Sequence, residues 1–327
     1  MAKIVLGIAS SHSPMLSTPP ELFPAHGSRD QANPQLLGAD ARYHSYDELL
    51  RMADPKLAAE LMPEKHRARH GAIQRAIDSL EQSLAAANPD VVVVVGDDQK
   101  ELFHDDNMPA LAVYTGEGML NSPRHWSESA NPVLKASAWG YGEEEREYPV
   151  HAGLACHIVQ SLVKQDFDVT QVGFLKPGQS MPHAYAFVVR RIMNARILPM
   201  VPVFLNTFYP PNSPTVRRCY AAGRALAKAI AQWPGEERVA VVASGGLSHF
   251  VLNERWDREL LDALQQRGPD KVCRLPEERF QSGDSEGKNW IATAGAVEHL
   301  TMELVDYVPT PRTPAGTGGG WGFARWQ

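Results

Sequence analysis

The chain has 327 residues, of which 43% are hydrophobic and 21% are charged, and its formal net charge is -6. This composition excludes a disordered or fibrous protein, and the length allows one large α/β domain or two smaller ones. The negative charge and the lack of clustered lysine and arginine argue against a protein that binds nucleic acid or an anionic membrane, since both need concentrated positive charge.

The first predicted element is a strand over residues 3–12, "KIVLGIASSH", which ends in Ser10, Ser11 and His12. Its apolar run is short and polar residues follow at once, which is typical of a strand and not of a signal peptide. No apolar stretch of the chain approaches the roughly 20 residues that a membrane-spanning helix needs. We therefore expect no membrane partner.

The cysteines favour a reducing compartment. Cys156, Cys219 and Cys273 are far apart and odd in number, so neither a disulfide framework nor a thiolate zinc site is indicated. We expect a cytoplasmic protein, and a homo-oligomer is the expected state of assembly.

Residues 91–103, "VVVVVGDDQKELF", place five valines directly before Gly96 and the polar group Asp97, Asp98 and Gln99. A run of β-branched residues bounded by turn residues predicts a strand of a mostly parallel sheet that is covered on both faces. Ligands of open α/β sheets bind beyond the carboxyl ends of the strands, so these polar residues are candidates for a functional site. The alternative is a polar turn in which Asp98 caps the next segment.

Helices and strands alternate along the rest of the chain. Residues 64–87 carry apolar side chains at helical spacing, which predicts an amphipathic helix before the valine strand. Later segments predict helices over 153–165, from 186 and over 217–233, with strands over 167–175, 195–206 and 238–250, the last ending in a glycine turn and His249. This alternation predicts a central mixed or parallel sheet flanked by helices, and we expect a single large α/β domain.

Residues 115–150 lack a clear period and are rich in glycine, proline and serine. We interpret them as a long excursion over the surface. Long loops in compact domains often cover a functional site.

His12, the Asp97 to Gln99 group and His249 each follow a predicted strand, and Glu286 lies at the start of a predicted helix in "SGDSEGKNWIATAGA". Histidines with one carboxylate suit mononuclear iron(II), because they leave coordination positions open for substrate and oxygen. Each residue also has a structural explanation. His12 could be an ordinary strand-end histidine, Glu286 an acid that favours a helix N-terminus, and His249 a cap of the preceding glycine turn.

Five motifs in this order resemble the class III extradiol ring-cleavage dioxygenases, the superfamily of the protocatechuate 4,5-dioxygenase catalytic subunit. They are "GIASSHSPML", "GDDQKELF", "NTFYPPN", "ASGGLSHF" with "NERWD", and "SGDSEGKNW", and they span nearly the whole chain. The segments "LSTPPEL", "MPHAYAFVVRRIM" and "LVDYVPTPRTPAGTG" look most similar to the 3-O-methylgallate and gallate dioxygenases.

The resemblance implies iron(II)-dependent ring opening of a catechol-type aromatic acid with dioxygen, as in the catabolism of lignin-derived aromatics. Substrates of this class are 3-O-methylgallate, gallate and protocatechuate. Carried over by motif, His12 and Glu286 would be iron ligands and His249 the acid/base histidine beside the substrate. An imidazole suits that role because its pKa lies near neutrality.

The chain departs from the family at the second iron histidine, whose position here is Gln99. A neutral amide oxygen is a weaker iron ligand than imidazole, so either Gln99 coordinates loosely or another histidine, His70 or His183, enters the coordination shell. His183 is also the candidate to replace a second catalytic histidine of the family, whose place is taken by a proline. Of the other histidines, we expect His66 to be solvated and His157 to be structural.

Asn206 and Tyr209 of "NTFYPP" are predicted to hydrogen-bond the substrate, and Arg217 and Arg218 are basic candidates for its acidic end or else a charge pair at a helix start. Two other functions remain open. One is a metal-dependent decarboxylase or hydrolase of an aromatic acid that uses no oxygen. The other is a non-catalytic subunit of the same fold, against which the retained histidines and glutamate argue.

Overall fold

The computed structural model describes residues 1–128, 130–194 and 196–327, and strands and helices alternate along it as predicted. The strands are β1 (Lys3–Ser10), β2 (Leu36–Leu37), β3 (Tyr43–His44), β4 (Val91–Gly96), β5 (Leu111–Tyr114), β6 (Gly118–Asn121), β7 (Arg146–Pro149), β8 (Thr170–Val172), β9 (Met200–Leu205), β10 (Arg238–Ser244), β11 (His249–Val251), β12 (Met302–Pro311) and β13 (Thr317–Trp326).

The helices are α1 (Phe23–Asp30), α2 (Tyr46–Met52), α3 (Leu57–Glu60), α4 (Pro63–Ala87), α5 (Pro132–Ser137), α6 (Ala152–Val163), α7 (His183–Phe187), α8 (Val216–Gln232), α9 (Glu254–Gln265), α10 (Pro269–Val272) and α11 (Gly287–Ala296). A π-helical turn over Val188–Ile192 extends α7, and a 3₁₀ turn over Ser282–Glu286 leads into α11. No helix in the described ranges has the length and apolar character needed to cross a membrane.

One mixed sheet organises the fold. Its order is β11-β13-β1-β10-β4-β9-β5-β8, with β12 paired to β13. The central strands β1, β10, β4 and β9 are parallel, whereas β13 and β5 pair with the outer members of this group in the antiparallel sense. The predicted single α/β domain with a mixed sheet and flanking helices is confirmed.

The valines of β4 are buried because helices cover both faces of the sheet. Val91, Val93 and Val95 contact the apolar cluster that includes α6, α8 and α11, whereas Val92 and Val94 contact the cluster that includes α4 and α7. Successive strand residues point to opposite faces, so a strand between two helical layers needs apolar side chains at every position.

The segment from 115 to 150 has more structure than the sequence predicts. Strands β6 and β7 pair with each other in the antiparallel sense, and α5 lies between them in the chain. Met119 of β6 and Tyr148 of β7 are buried. Each strand is only four residues long, which is too short for its alternating pattern to stand out from the surrounding loop residues.

Two glycines let α11 pack closely on α8. A Cβ on Gly223 would lie 1.8 Å from the backbone oxygen of Ala292, and a Cβ on Gly295 would lie 2.3 Å from the backbone oxygen of Tyr220. Since α11 begins directly after Glu286, this close approach helps to place that carboxylate at the sheet edge.

We predict that Gly223→Ala destabilises the protein by about 1–3 kcal/mol or more, because the added methyl overlaps backbone that can move only with the whole helix. Urea unfolding followed by circular dichroism measures the change. Gly173→Ala is the matched control, since a Cβ at Gly173 meets nothing within 4 Å. Equal stability of the two variants would contradict this packing.

Candidate metal centre

Polar side chains from five segments meet beyond the carboxyl ends of β1, β4 and β10. His12 follows β1, Asp97 and Gln99 follow β4, and His249 begins β11 after the glycine turn that ends β10. The first residue of α7, His183, and the residue before α11, Glu286, complete the group. All of these except Asp97 line a cavity of about 600 Å³.

The Glu286 carboxylate lies at the centre of the cluster and is almost completely buried. Its Oε2 lies 3.4 Å from His12 Nε2, and its Oε1 lies 3.3 Å from His249 Nε2. The backbone N–H of Gly246 donates to Oε2 at 2.6 Å. Burial acts to raise the pKa of Glu286, but the adjacent His249 and His12 outweigh burial and hold this pKa well below its usual range.

The ring of His12 is oriented through its Nδ1 atom. Ser244 Oγ lies 3.0 Å from His12 Nδ1 and donates its own proton to the backbone oxygen of Ala184 at 2.7 Å. With its proton committed, the hydroxyl accepts from Nδ1–H, and His12 Nε2 is left facing the cluster without a proton. Burial lowers the pKa of His12 to about 4, which keeps the ring neutral near pH 7.

The other two rings are oriented in the same way. His249 Nδ1 donates to the backbone oxygen of Leu247 at 2.9 Å, and His183 Nδ1 donates to Glu101 Oε2 at 2.5 Å. His183 Nε2 consequently lies 3.1 Å from His12 Nε2. The three imidazoles therefore present Nε2 atoms to one place.

Carboxylates keep two of these histidines protonated. Burial acts to lower the pKa of His183, but Glu101 chiefly outweighs it and raises this pKa to about 9. Burial also acts to lower the pKa of His249, but the adjacent Glu286 outweighs burial and raises this pKa to about 9. Burial acts to raise the pKa of Glu101, which His183 and Arg124 nevertheless lower to about 2.

Asp97 is the second buried carboxylate of the cluster. Burial and the nearby Glu286 charge raise the pKa of Asp97 to about 7, and Asn289 Nδ2 donates to its Oδ1 at 3.1 Å. Ligand atoms of His12, Asp97 and Glu286 all lie within 4.8 Å of one another. Two buried carboxylates that repel each other beside a neutral imidazole fit a divalent cation, whose charge would relieve the repulsion.

The three candidates for the second iron ligand, Gln99, His183 and His70, lie in different places. Gln99 directs its amide N–H groups at Glu286 Oε1, 3.0 Å away, and at Asp97 Oδ2, 3.4 Å away, so it orients carboxylates in this structure. His183 joins the cluster, whereas His70 lies on α4 beside Phe23 and does not line the cavity. Direct coordination by Gln99 stays a prediction.

Two further histidine expectations have clear outcomes. The prediction that His66 is solvated is wrong, because its side chain is buried against Phe23, with the ring centroids 5.3 Å apart. The apolar residues of α4 predicted the buried face but did not reveal that His66 shares it. His157 has a structural contact, with Nε2 3.0 Å from the backbone oxygen of Ala229.

The predicted substrate contacts lie outside the cavity lining. Asn206 donates to the backbone oxygens of Tyr209 at 2.8 Å and Asn212 at 3.0 Å, so its side chain closes its own loop. Arg218 stacks on Phe167 near the start of α8, as a structural helix-start residue does. Contact of Asn206 and Tyr209 with substrate stays a prediction that this geometry does not support.

The sequence places Asp97 in the candidate group after the valine strand but assigns it no ligand role, and it assigns no role to Glu101. Asp97 is the first residue after a completely buried strand, and that position was the available signal. Glu101 carried no signal, because it reaches His183 only through the turn capped by Asp98, whose carboxylate accepts the backbone N–H groups of residues 101–103. The alternative explanation of Asp98 as a cap is therefore correct.

Fold and site together define an α/β protein with a buried histidine and carboxylate cluster at the carboxyl edge of parallel strands. Residues 54–318 match the family described as "Catalytic LigB subunit of aromatic ring-opening dioxygenase", and the chain belongs to that family. The resemblance predicted from the motifs is confirmed.

Individual relatives match parts of the chain. It is 36% identical over 129 residues to a gallate dioxygenase of Pseudomonas putida, covering 35% of each chain. It is 27% identical over 188 residues to a 2,3-dihydroxyphenylpropionate/2,3-dihydroxicinnamic acid 1,2-dioxygenase of Mycolicibacterium gilvum, covering 55% of this chain and 51% of the relative. The chain thus spans about half, or less, of the length of these relatives. A crystal structure of an uncharacterized Escherichia coli K12 protein aligns with a TM-score of 0.47 at 14% identity, covering 76% of this chain and 91% of that one.

We predict that Ser244→Ala lowers the affinity for a divalent cation about 10- to 100-fold, because it removes the acceptor that orients the His12 ring. Anaerobic titration with iron(II) or manganese(II) measures the affinity. Ser11→Ala is the control, since Ser11 is a buried neighbour whose hydroxyl contacts Gly322 and not His12. Equal affinities of the two variants would show that Ser244 does not orient a ligand.

Proposed function

We propose that the chain is an iron(II)-dependent extradiol dioxygenase that opens the ring of a catechol-type aromatic acid beside its two hydroxyls. The observation that carries the proposal is that three imidazole Nε2 atoms and two buried carboxylates meet in one cluster beside the cavity. Family membership supports the reaction class. The gallate named for one relative supports gallate-like substrates, including 3-O-methylgallate and protocatechuate.

His12, Asp97 and Glu286 are the proposed metal ligands, with Gln99 holding the two carboxylates in place through its amide. When bound, iron(II) would lower the pKa of the two catechol hydroxyls and keep positions open for substrate and dioxygen. Asp97 takes the ligand role first predicted for Gln99, because a carboxylate supplies the negative charge that a neutral amide lacks.

His249 is the proposed acid/base residue. Its Nε2 faces the cavity while Leu247 holds its Nδ1, so the proton-exchanging atom has one fixed position. In the cation-free cluster the Glu286 charge keeps the ring protonated. With that charge neutralised by a bound cation, the ring would be neutral, and Nε2 could take a proton from a substrate hydroxyl and return it before the product leaves. His183 presents a second Nε2 to the same cavity and is the other proposed proton carrier.

The cavity wall suits an aromatic acid. Phe187, Phe250 and Trp321 offer apolar surface for a ring. Arg29 also lines the cavity and, within the described part of the chain, has no carboxylate at ion-pair distance, so we assign the acidic group of the substrate to it.

The metal assignment predicts that Glu286→Ala abolishes both iron binding and turnover, since it removes the central buried charge of the ligand set. Asp97→Asn should weaken iron binding more than Gln99→Ala, because only the first removes a charged ligand. Anaerobic iron(II) titrations of the three variants measure these effects. A larger loss for Gln99→Ala than for Asp97→Asn would return the ligand role to Gln99, and full iron occupancy in Glu286→Ala would refute the centre.

The proposed reaction predicts oxygen uptake by the iron(II)-reconstituted protein with gallate, 3-O-methylgallate or protocatechuate in an oxygen electrode. His249→Phe should keep its iron while the rate falls about 10²- to 10⁴-fold, because it removes proton transfer and no ligand. Loss of iron from this variant would instead make His249 a ligand. Substrate consumption without oxygen uptake would replace the dioxygenase by a decarboxylase or hydrolase.

A further inference from the structure

We infer that Glu101 is a positioning residue, whose carboxylate fixes the His183 ring so that Nε2 points into the cavity. The catalytic consequence of this inference rests on the proposed function. The geometric part, which concerns only Glu101 and His183, does not.

Glu101 holds His183 at two points. Its Oε2 accepts from the ring Nδ1 at 2.5 Å and from the backbone N–H of His183 at 3.0 Å, and its Oε1 lies 3.3 Å from the same backbone nitrogen. His183 is the first residue of α7, where a backbone N–H has no partner within the helix. One carboxylate therefore restrains both the ring and the backbone from which it projects.

Glu101 is itself held from several sides. Arg124 forms an ion pair with its Oε1, and the Tyr141 hydroxyl donates to the same oxygen at 3.4 Å. The Arg124 guanidinium stacks on the Tyr141 ring at 4.0 Å from the centroid. On the chain side, Asp98 accepts the backbone N–H of Glu101 at 3.2 Å. These contacts leave the carboxylate little freedom to turn away from His183.

The restraint selects one of two ring orientations. With Nδ1–H donated to Glu101, Nε2 faces His12 and the cavity, and this is the atom that can exchange a proton there. Without the carboxylate, rotation about the Cβ–Cγ bond would exchange the two edges of the imidazole. A smaller fraction of molecules would then present Nε2 to the substrate.

A different role for Glu101 would be to anchor the 115–150 segment through Arg124 alone. In that case Glu101 would matter for stability and not for the His183 ring. The two roles make opposite predictions for a variant that lacks His183.

The kinetic experiment is a double-mutant cycle on the iron-loaded protein, with kcat and KM from oxygen uptake. Glu101→Ala should lower kcat about 10- to 100-fold and change KM less, as for other groups that orient an active imidazole. In the His183→Ala background the same substitution should have no further effect on kcat, because its target is absent. Losses that multiply in the double variant would overturn the inference.

Two further variants sharpen the cycle. Glu101→Gln keeps an acceptor oxygen and should recover most of the rate lost in Glu101→Ala. If Glu101→Gln is as slow as Glu101→Ala, a hydrogen-bond acceptor is insufficient and the orienting role as stated is wrong. Glu144→Ala removes an exposed carboxylate from the 115–150 segment and should have the wild-type rate.

A spectroscopic experiment separates this inference from the proposed function. In zinc-loaded, ¹⁵N-histidine-labelled protein, the His183 Nδ1–H proton should give a slowly exchanging resonance, identified by its absence from His183→Ala. It should disappear in Glu101→Ala and remain in Glu144→Ala. Persistence in Glu101→Ala would refute positioning by Glu101. The expected spectra together with no oxygen uptake by the wild type would refute the dioxygenase proposal and leave the positioning role intact.

Discussion

A carboxylate removed almost completely from water, Glu286, is the constraint on which the rest of the site depends. Burying an ionised carboxyl group is costly unless charged and hydrogen-bonding partners surround it. Here His12, His249, the Gln99 amide and a backbone N–H of the glycine turn all point at its two oxygens. Each of these partners needs its own support, so the network extends outwards to Ser244, Leu247 and Asp97.

The fold can meet this demand because four parallel strands end at one edge. The residues after three of these strands, β1, β4 and β10, emerge side by side at this edge. The close contact of α8 and α11 brings Glu286 to this edge from the opposite end of the sequence. Chain segments more than 270 residues apart thus supply atoms that lie 3.4 Å from each other, in His12 and Glu286.

The parts of the fold and site that the sequence predicts are those that leave a local pattern of apolar and polar residues. The run of valines in β4 predicts a strand that is buried on both faces. The site motifs are recognisable because His12 follows a strand and Glu286 lies at the start of a helix. Local patterns do not encode which nitrogen of a ring points inwards. Nor do they encode which of three adjacent polar residues places a carboxylate beside His12 and Glu286, and for that reason they indicate Gln99 and not Asp97 as the ligand. The burial of His66 is not predicted because the spacing of the apolar residues of α4 does not show how far the buried face extends around the helix. The position of Glu101 is set by the turn that Asp98 caps, and hydrophobic periodicity does not predict the shape of such a turn.

The segment from 115 to 150 does more than enclose the cavity. Arg124 and Tyr141 belong to the cavity wall and also grip the carboxylate that holds His183. A molecule that presses on this wall therefore acts on the same bonds that set the direction of the imidazole. If occupancy of the cavity changes the alignment of the proton carrier, thermodynamic reciprocity requires that alignment change the affinity for the occupant by the same factor.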